Sequence, residues 1–447
     1  MIFSRYNVNY SFPHQVFQMT LSRQSLAVLF FLFVLAGYSS PVEAQQDWPQ
    51  WRGAKLDSVA EGQIVEKLDE STQLWRAELP GSGGSSPIVV GDRVITTSVD
   101  GDALVVLCFD ANGGKELWRK QVDGKNRASR DGANGASNSP SSDGKHVWTM
   151  FSNGQVNCFT LDGEEVWSKD LEEEYGAFKI QFGMASTPVL HEGQLLFALM
   201  HGNMRNKETS RGVLVSLDAE TGTENWKADR NSDAVSENKH VYASPCIAES
   251  EDGSLLIVHG ADYTTAHKLD SGEEVWRIGG MNPKGKSYNP FLRFVSSPVY
   301  NDGRVIIPSA KNGPVWSLPV SGEGKRTKND LQWASGRITS DVASPVVYDD
   351  LIFLARKNGA IACLDAKSGE TLVEKRYLAG KHRSTPVAVD GKLVCTGRDG
   401  KVFLIEADKE LKEISSIELD EETTASPAVA NGKIFIRTFK ALYAFGK

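Results

Sequence analysis

Apolar residues in this chain fall into short β-branched and aromatic runs, and each run is cut by a Gly, Asp or Asn turn. Three segments show the unit clearly: PIVVGDRVITTS from Pro87 to Ser98, PVVYDDLIFLA from Pro345 to Ala355, and PAVANGKIFIR from Pro427 to Arg437. Each reads as a strand, a tight turn and a second strand. A third strand follows, then an Asp-containing turn and a fourth strand that often carries Trp, as in the segments ending at Trp118, Trp167, Trp226 and Trp276. The pattern therefore predicts four-stranded antiparallel meanders.

A small residue before proline opens each unit, at Pro87, Pro140, Pro188, Pro245, Pro298, Pro345, Pro386 and Pro427. Successive prolines lie 41 to 57 residues apart, a period that fits propellers and solenoids, and the strand content selects a propeller. Proline donates no ladder hydrogen bond, so it belongs at the start of an edge strand, which the innermost strand of a blade is. The eighth unit runs out after three strands, and QLWRAEL (Gln73 to Leu79) supplies a fourth, with Trp75 in the repeat's Trp position. The expected fold class is all-β: an eight-bladed β-propeller over residues 72–447, its ring closed by an N-terminal strand, leaving no open sheet edge at the seam.

Composition adds limits. The 447 residues are 40% hydrophobic with a formal net charge of −8, which gives no general attraction to nucleic acid or anionic lipid. The run Leu26 to Ala36, preceded by Arg23 and followed by Val42-Glu43-Ala44, reads as a secretory signal over residues 1–44. Its start is Met1 or the more ordinary Met19, and an uncleaved anchor is the alternative reading. The chain is thus expected to be exported to the periplasm or beyond and to be monomeric, with no integral span once the signal is removed. No Cys lies near the cleavage site, so a lipid anchor is not expected. The five dispersed cysteines, Cys108, Cys158, Cys246, Cys363 and Cys395, read as small buried side chains rather than disulfides.

The segments Asp110, Gly114, Trp118 and Asp218, Gly222, Trp226 match the tryptophan-docking pattern D-x-x-x-G-x-x-x-W. Here the chain resembles the PQQ-like, or quinoprotein-dehydrogenase-like, propellers. DWPQWRG (Asp47 to Gly53), within an extension over residues 45–71, resembles an element that follows the signal peptide in many secreted members. Physically it reads as a stiff aromatic strap for the N-terminus. The resemblance implies either a PQQ- and Ca²⁺-dependent alcohol dehydrogenase or a cofactor-free protein such as the assembly factor BamB. The chain lacks an adjacent cysteine pair, a calcium triad that maps by residue and a C-x-x-C-H haem segment. No cofactor is therefore expected, and the docking motif itself is structural.

The long loops 126–138, 173–185, 200–212, 236–243, 279–294, 336–343 and 379–383 fall on one face of such a ring. That face collects Arg127, Arg130, Lys179, Arg205, Lys286, Arg293, Arg337 and Arg383 beside Tyr175, Tyr242 and Tyr288. Basic and aromatic residues together suit a protein hot spot or a mouth for a small acidic ligand. The expected function is a non-enzymatic interaction or ligand-binding module of the cell envelope. The alternatives are the quinoprotein dehydrogenase and a BamB-like assembly scaffold. His201, His240 and His382 share this face without metal-ligand spacing.

Overall fold

The computed structural model describes residues 46–127, 133–206, 208–377 and 380–447. The strands form eight antiparallel sheets in sequence order, each a blade whose first strand is innermost. Blade 1 comprises Ile88–Val90, Arg93–Asp100, Ala103–Asp110 and Glu116–Val122, and blades 2 to 7 repeat it. Blade 8 takes Ala428–Ala430, Lys433–Arg437 and Ala441–Phe445 from the C-terminus and Gln73–Glu78 from the N-terminal side. That last strand pairs antiparallel to Ala441–Phe445, with Trp75 opposite Ala444. The seam closes as the sequence predicts.

Blade 4 departs from the expected four strands. Gly324–Arg326 adds to it as a fifth, parallel to Glu274–Gly279. The connection between the third and fourth strands of blade 5 is long here, so it reaches the outer edge of its neighbour instead of turning tightly. Arg326 then lies 5.6 Å from the centroid of the Trp276 ring.

Three devices join the blades. Nearest the axis, the residue before each proline is Ser or Thr, and each gives its backbone N–H to the corresponding hydroxyl of the next blade. The bonds run Ser86 to Ser139 (2.9 Å), Ser139 to Thr187 (3.3 Å), Thr187 to Ser244 (2.9 Å) and Ser244 to Ser297 (2.9 Å). They continue Ser297 to Ser344 (3.0 Å), Ser344 to Thr385 (3.0 Å), Thr385 to Ser426 (3.0 Å) and Ser426 back to Ser86 (2.8 Å). The circle is complete.

At the rim, tryptophans dock across blades. Trp75, Trp118, Trp167, Trp226, Trp276 and Trp333 each donate their indole N–H to a backbone carbonyl of the following blade, at 2.7–3.1 Å. A methyl group added to Gly114 would sit 2.6 Å from the Trp75 ring, and one on Gly369 2.3 Å from Trp333. The motif glycine therefore serves the preceding blade's Trp, besides taking the positive φ of its turn (69° at Gly114).

The third device is residues 46–60, which cross one end of the ring. Trp48 pairs with Val89 of blade 1, and the Pro49 carbonyl accepts from Ser142 of blade 2. The Gln50 amide bonds both backbone groups of Leu190 in blade 3. Arg52 donates to the carbonyls of Pro298 (2.8 Å) and Pro345 (3.2 Å) in blades 5 and 6. Ser58 and Ala60 bracket Ala388 of blade 7, and the Gln46 amide donates to Asn431 of blade 8. The expected aromatic strap is observed, and its polar groups hold it as firmly as its rings.

The core divides among blade interfaces, and all five cysteines are buried and free. Cys108, Cys158 and Cys363 sit at equivalent third-strand positions, opposite Trp118, Trp167 and Val373. Burial pushes each of their thiols up to about 12, so they stay protonated and unreactive.

Two predictions follow from this packing. Arg52 is fully buried, and burial lowers its guanidinium to about 10. Arg52→Ala leaves the carbonyls of Pro298 and Pro345 without this donor, costing about 3 kcal/mol by the worth of charged hydrogen bonds. Urea denaturation followed by tryptophan emission should show a clearly lower midpoint, and an unchanged midpoint would mean that the strap is not a structural tie. Burial also depresses His259 to about 3 and His267 to about 4, from 6.5. The unfolded chain then binds protons that the folded chain refuses, so stability is full above pH 6.5 and falls as the pH drops from there towards 4. His259 alone should contribute about 3 kcal/mol to that loss, at 1.36 kcal/mol per pH unit. Denaturation midpoints from pH 7 to pH 4 should fall less steeply in His259→Gln than in the parent, and parallel slopes would contradict the assignment.

Candidate functional site

The strap covers the end of the axis where the first hairpins turn. At the other end, the loops between second and third strands and those between blades surround a cavity of about 260 Å³. Its wall includes all eight hydroxyl residues of the inner ring. Each of those oxygens accepts one amide, and no protein acceptor takes its hydrogen among the described residues. A hydroxyl both donates and accepts, so the ring offers hydrogen-bond donors to whatever fills the channel.

The rim of the cavity is cationic and aromatic. Arg293 lies 5.0 Å from the centroid of the Phe182 ring, and Phe182 meets Tyr242 edge to face with centroids 6.0 Å apart. Trp51, from the strap, lines the same cavity, and its indole N–H approaches the Ser426 hydroxyl at 3.4 Å. Lys357 is paired with Asp341 at 2.8 Å, Arg293 with the buried Glu237 at 3.2 Å, and Arg383 completes the rim. Two of these cations are thus paired with carboxylates, one of them buried behind its arginine.

A polar network fixes the loop that carries Arg293. Asp262 accepts from Asn238 and Asn282 at one oxygen, at 3.2 and 3.0 Å, and from Lys284 and Tyr288 at the other, at 3.0 and 2.7 Å. His259 stacks on Phe294 with centroids 4.7 Å apart. Both contacts hold the segment 279–294 against blade 4, which reduces the ordering that a ligand would otherwise have to impose.

The residues singled out from sequence divide. Tyr242, Arg293 and Arg383 converge on the cavity. Arg127 is held away by a bidentate pair with Glu172, at 2.6 and 2.8 Å. The Tyr175 hydroxyl donates to Glu224 at 2.6 Å, and Tyr288 belongs to the Asp262 network. Lys179, Arg205 and Lys286 are exposed on outlying loops, and Arg337 lies in a separate groove. Arg130 lies outside the described residues. Asp110, Gly114, Trp118, Asp218, Gly222 and Trp226 belong to inter-blade docking, as expected.

Sequence reasoning missed Lys357, which sits in a hairpin that reads as an ordinary turn, and it undervalued Trp51. It also missed the hydroxyl ring, although a signal was present: the residue before all eight prolines is Ser or Thr, while the one before that varies.

The histidines of this face are tied to protein groups. His240 bonds the Tyr242 hydroxyl at 3.2 Å and the Gly202 carbonyl at 2.9 Å, and His382 bonds the Thr396 carbonyl at 3.3 Å. Burial lowers the pKa of His201, His240 and His382 alike, so each is neutral near pH 7.

A calcium centre needs about six to eight oxygens, with carboxylates prominent among them. The cavity wall contributes one carboxylate among the described residues, Asp341, already tied to Lys357. Among the described residues, no three His, Cys, Asp or Glu side chains gather to hold a metal. The donor set does not fit the metal half of a PQQ site, while the cations and hydroxyls fit an anion.

Known proteins resemble the chain at two levels. Structurally, it superposes on quinohemoprotein alcohol dehydrogenase from Comamonas testosteroni with a TM-score of 0.66 at 11% identity, covering 90% of this chain and 80% of that one. BamB from Moraxella catarrhalis gives 0.60 at 14% identity, covering 84% and 97%. At such identities these likenesses establish the fold alone. In sequence, the outer membrane protein assembly factor BamB of Yersinia pestis is 23% identical over 392 residues, 85% of this chain and 90% of that protein. The family described as outer membrane protein assembly factor BamB matches residues 60–282 and 152–412, which together take in most of the propeller, and the chain belongs to that family.

Proposed function

We propose that the protein is a non-enzymatic interaction module of the cell envelope, which holds an acidic group of a protein partner at the channel mouth. The observation that carries this reading is the cavity, closed at the far end by the strap and ringed by Arg293, Lys357 and Arg383 beside Phe182, Tyr242 and Trp51. Arginine and aromatic side chains around a partly desolvated pocket are the usual composition of a protein hot spot. Hydroxyl donors below them complement a carboxylate. Family membership supports an assembly role, since the matching relatives are outer membrane protein assembly factors. An apolar leader over residues 1–44 supports export. The dehydrogenase reading has the fold in its favour and the donor set against it.

The test is charge reversal at the mouth. Tagged parent protein and the Arg293→Glu/Arg383→Glu variant are cross-linked in the envelope fraction of the source cells, purified and compared by quantitative mass spectrometry. Partners enriched by the parent should fall at least tenfold in the variant, with the urea midpoints matched. An unchanged partner profile would remove the proposal, as would turnover in dye-linked alcohol oxidation after incubation with PQQ and Ca²⁺.

A further inference from the structure

A second concavity opens from the same face, off the axis. It is a groove of about 740 Å³ across blades 5 to 7, lined by Lys311, Arg337, Arg356, Lys357, Arg376 and Lys381 together with Asn312 and Asn358. Lys357 lines both the groove and the channel cavity, so the two lie side by side. Six cations in one concavity contrast with a chain of net charge −8.

Two of the six are neutralised within the protein: Arg356 by Glu374 at 2.6 Å and Lys357 by Asp341 at 2.8 Å. Lys311, Arg337, Arg376 and Lys381 are exposed and have no carboxylate within ion-pair distance among the described residues. The two arginines are also held in place. Arg337 gives its Nε–H to the carbonyl of Asn312 at 3.0 Å, and Arg376 gives its own to the carbonyl of Asn358 at 2.8 Å. Each guanidinium is anchored through Nε on a hairpin, and its Nη1 and Nη2 make no hydrogen bond or ion pair among the described residues. A planar fork fixed in this way is prepared for bidentate contact with a carboxylate.

We infer that this groove docks an extended acidic segment of a protein partner, Asp- or Glu-rich, running outward from the channel mouth across blades 5 to 7. The inference rests on the reading of this face as an interaction surface and names the chemistry of what binds there. Four unpaired cations spread from blade 5 to the connection entering blade 7 exceed the reach of a small carboxylate, whereas a peptide places a side chain on one face every second residue when extended. A duplex nucleic acid carries a charge about every 1.7 Å, so it would overrun the groove onto the acidic remainder of the surface. A short acidic peptide confines its charge to the groove.

Fluorescence anisotropy of a labelled octa-glutamate peptide with the full chain freed of its leader tests the proposal, with octa-glutamine, a heparin oligosaccharide and a short DNA duplex as comparators. Octa-glutamate should bind, weaken steeply between 50 and 200 mM salt, and outbind octa-glutamine at least tenfold. Arg337→Glu/Arg376→Glu should weaken it at least tenfold, and Arg337→Lys/Arg376→Lys should retain an intermediate affinity because charge remains while the fork is lost. Lys311→Glu/Lys381→Glu, whose side chains make no bond among the described residues, should weaken it too and guards against misfolding of the arginine variant. Equal binding of the two peptides, charge-reversed variants within twofold of the parent, or tighter binding of heparin or DNA would each overturn the proposal. If octa-glutamate does not bind while Arg293→Glu/Arg383→Glu still loses its partners, the groove fails and the channel-mouth reading stands. If octa-glutamate binds and that variant keeps its partners, the reverse holds.

Discussion

The circle of eight amide-to-hydroxyl hydrogen bonds around the axis is the constraint on which the rest of the structure turns. Each inner strand starts directly after a proline, so the Ser or Thr before that proline lies outside the ladder and its N–H has no strand partner. That N–H is buried, and a buried backbone donor without a partner is costly. The hydroxyl of the next blade supplies the acceptor. Every blade both gives and receives one such bond, and the last, from Ser426 to Ser86, joins residues 340 positions apart. Each bond contributes only about 1 kcal/mol, but the set is satisfied only when all eight blades are in place.

Further out, the ties between blades are shared unevenly, and each gap in one device is covered by another. The tryptophan series stops at Trp333, because blades 6 and 7 have Val373 and Ile414 near the corresponding positions. At the junction of blades 6 and 7, Tyr377 takes the docking role: its hydroxyl donates to the Leu411 carbonyl, and its ring stacks on Phe403 at 5.5 Å. Over blades 7 and 8, Ile64, Val65 and Leu68 join the core, and the Leu68 amide donates to Ser415 at 2.8 Å. The strap meanwhile bonds seven of the eight blades. Its stiff Trp-Pro-Gln-Trp sequence suits this use, since a rigid segment loses less entropy when fixed across many partners.

The same closure produces the site. Because the strap fills one end, the channel becomes a blind cavity with a floor that includes Trp51. Because each ring hydroxyl accepts an amide and gives its hydrogen to no protein acceptor among the described residues, the hydrogens remain for the channel. The cations come from four different loops and one strand end: Arg293, Arg383 and Lys357 at the mouth, then Arg337 and, at the end of the strand Thr371–Arg376, Arg376 in the adjoining groove. The chain as a whole is acidic, so the basic face is a local reversal of sign. Local reversals of this kind steer acidic partners and set their register more than they add bulk affinity.

Strand alternation, turn chemistry and the proline period were enough to give eight blades and the structural nature of Asp110, Gly114 and Trp118, because each repeat carries its own local pattern, and the borrowed strand at Gln73–Glu78 followed by counting, since the eighth unit lacks one strand. The loops of the candidate face were also legible as a group, since the parity of antiparallel strands assigns every second turn to the same end. What sequence could not decide was which loop residues meet. Arg127, Tyr175 and Tyr288 satisfy their polar groups on Glu172, Glu224 and Asp262, partners found only by folding. Lys357 reaches both concavities from a hairpin with no distinguishing pattern. The fifth strand on blade 4 likewise depends on how far one connection extends in space. Blade number and strand order are set by local periodicity, whereas a site built from the ends of many blades is set by distances across the ring, and only the closed ring fixes those.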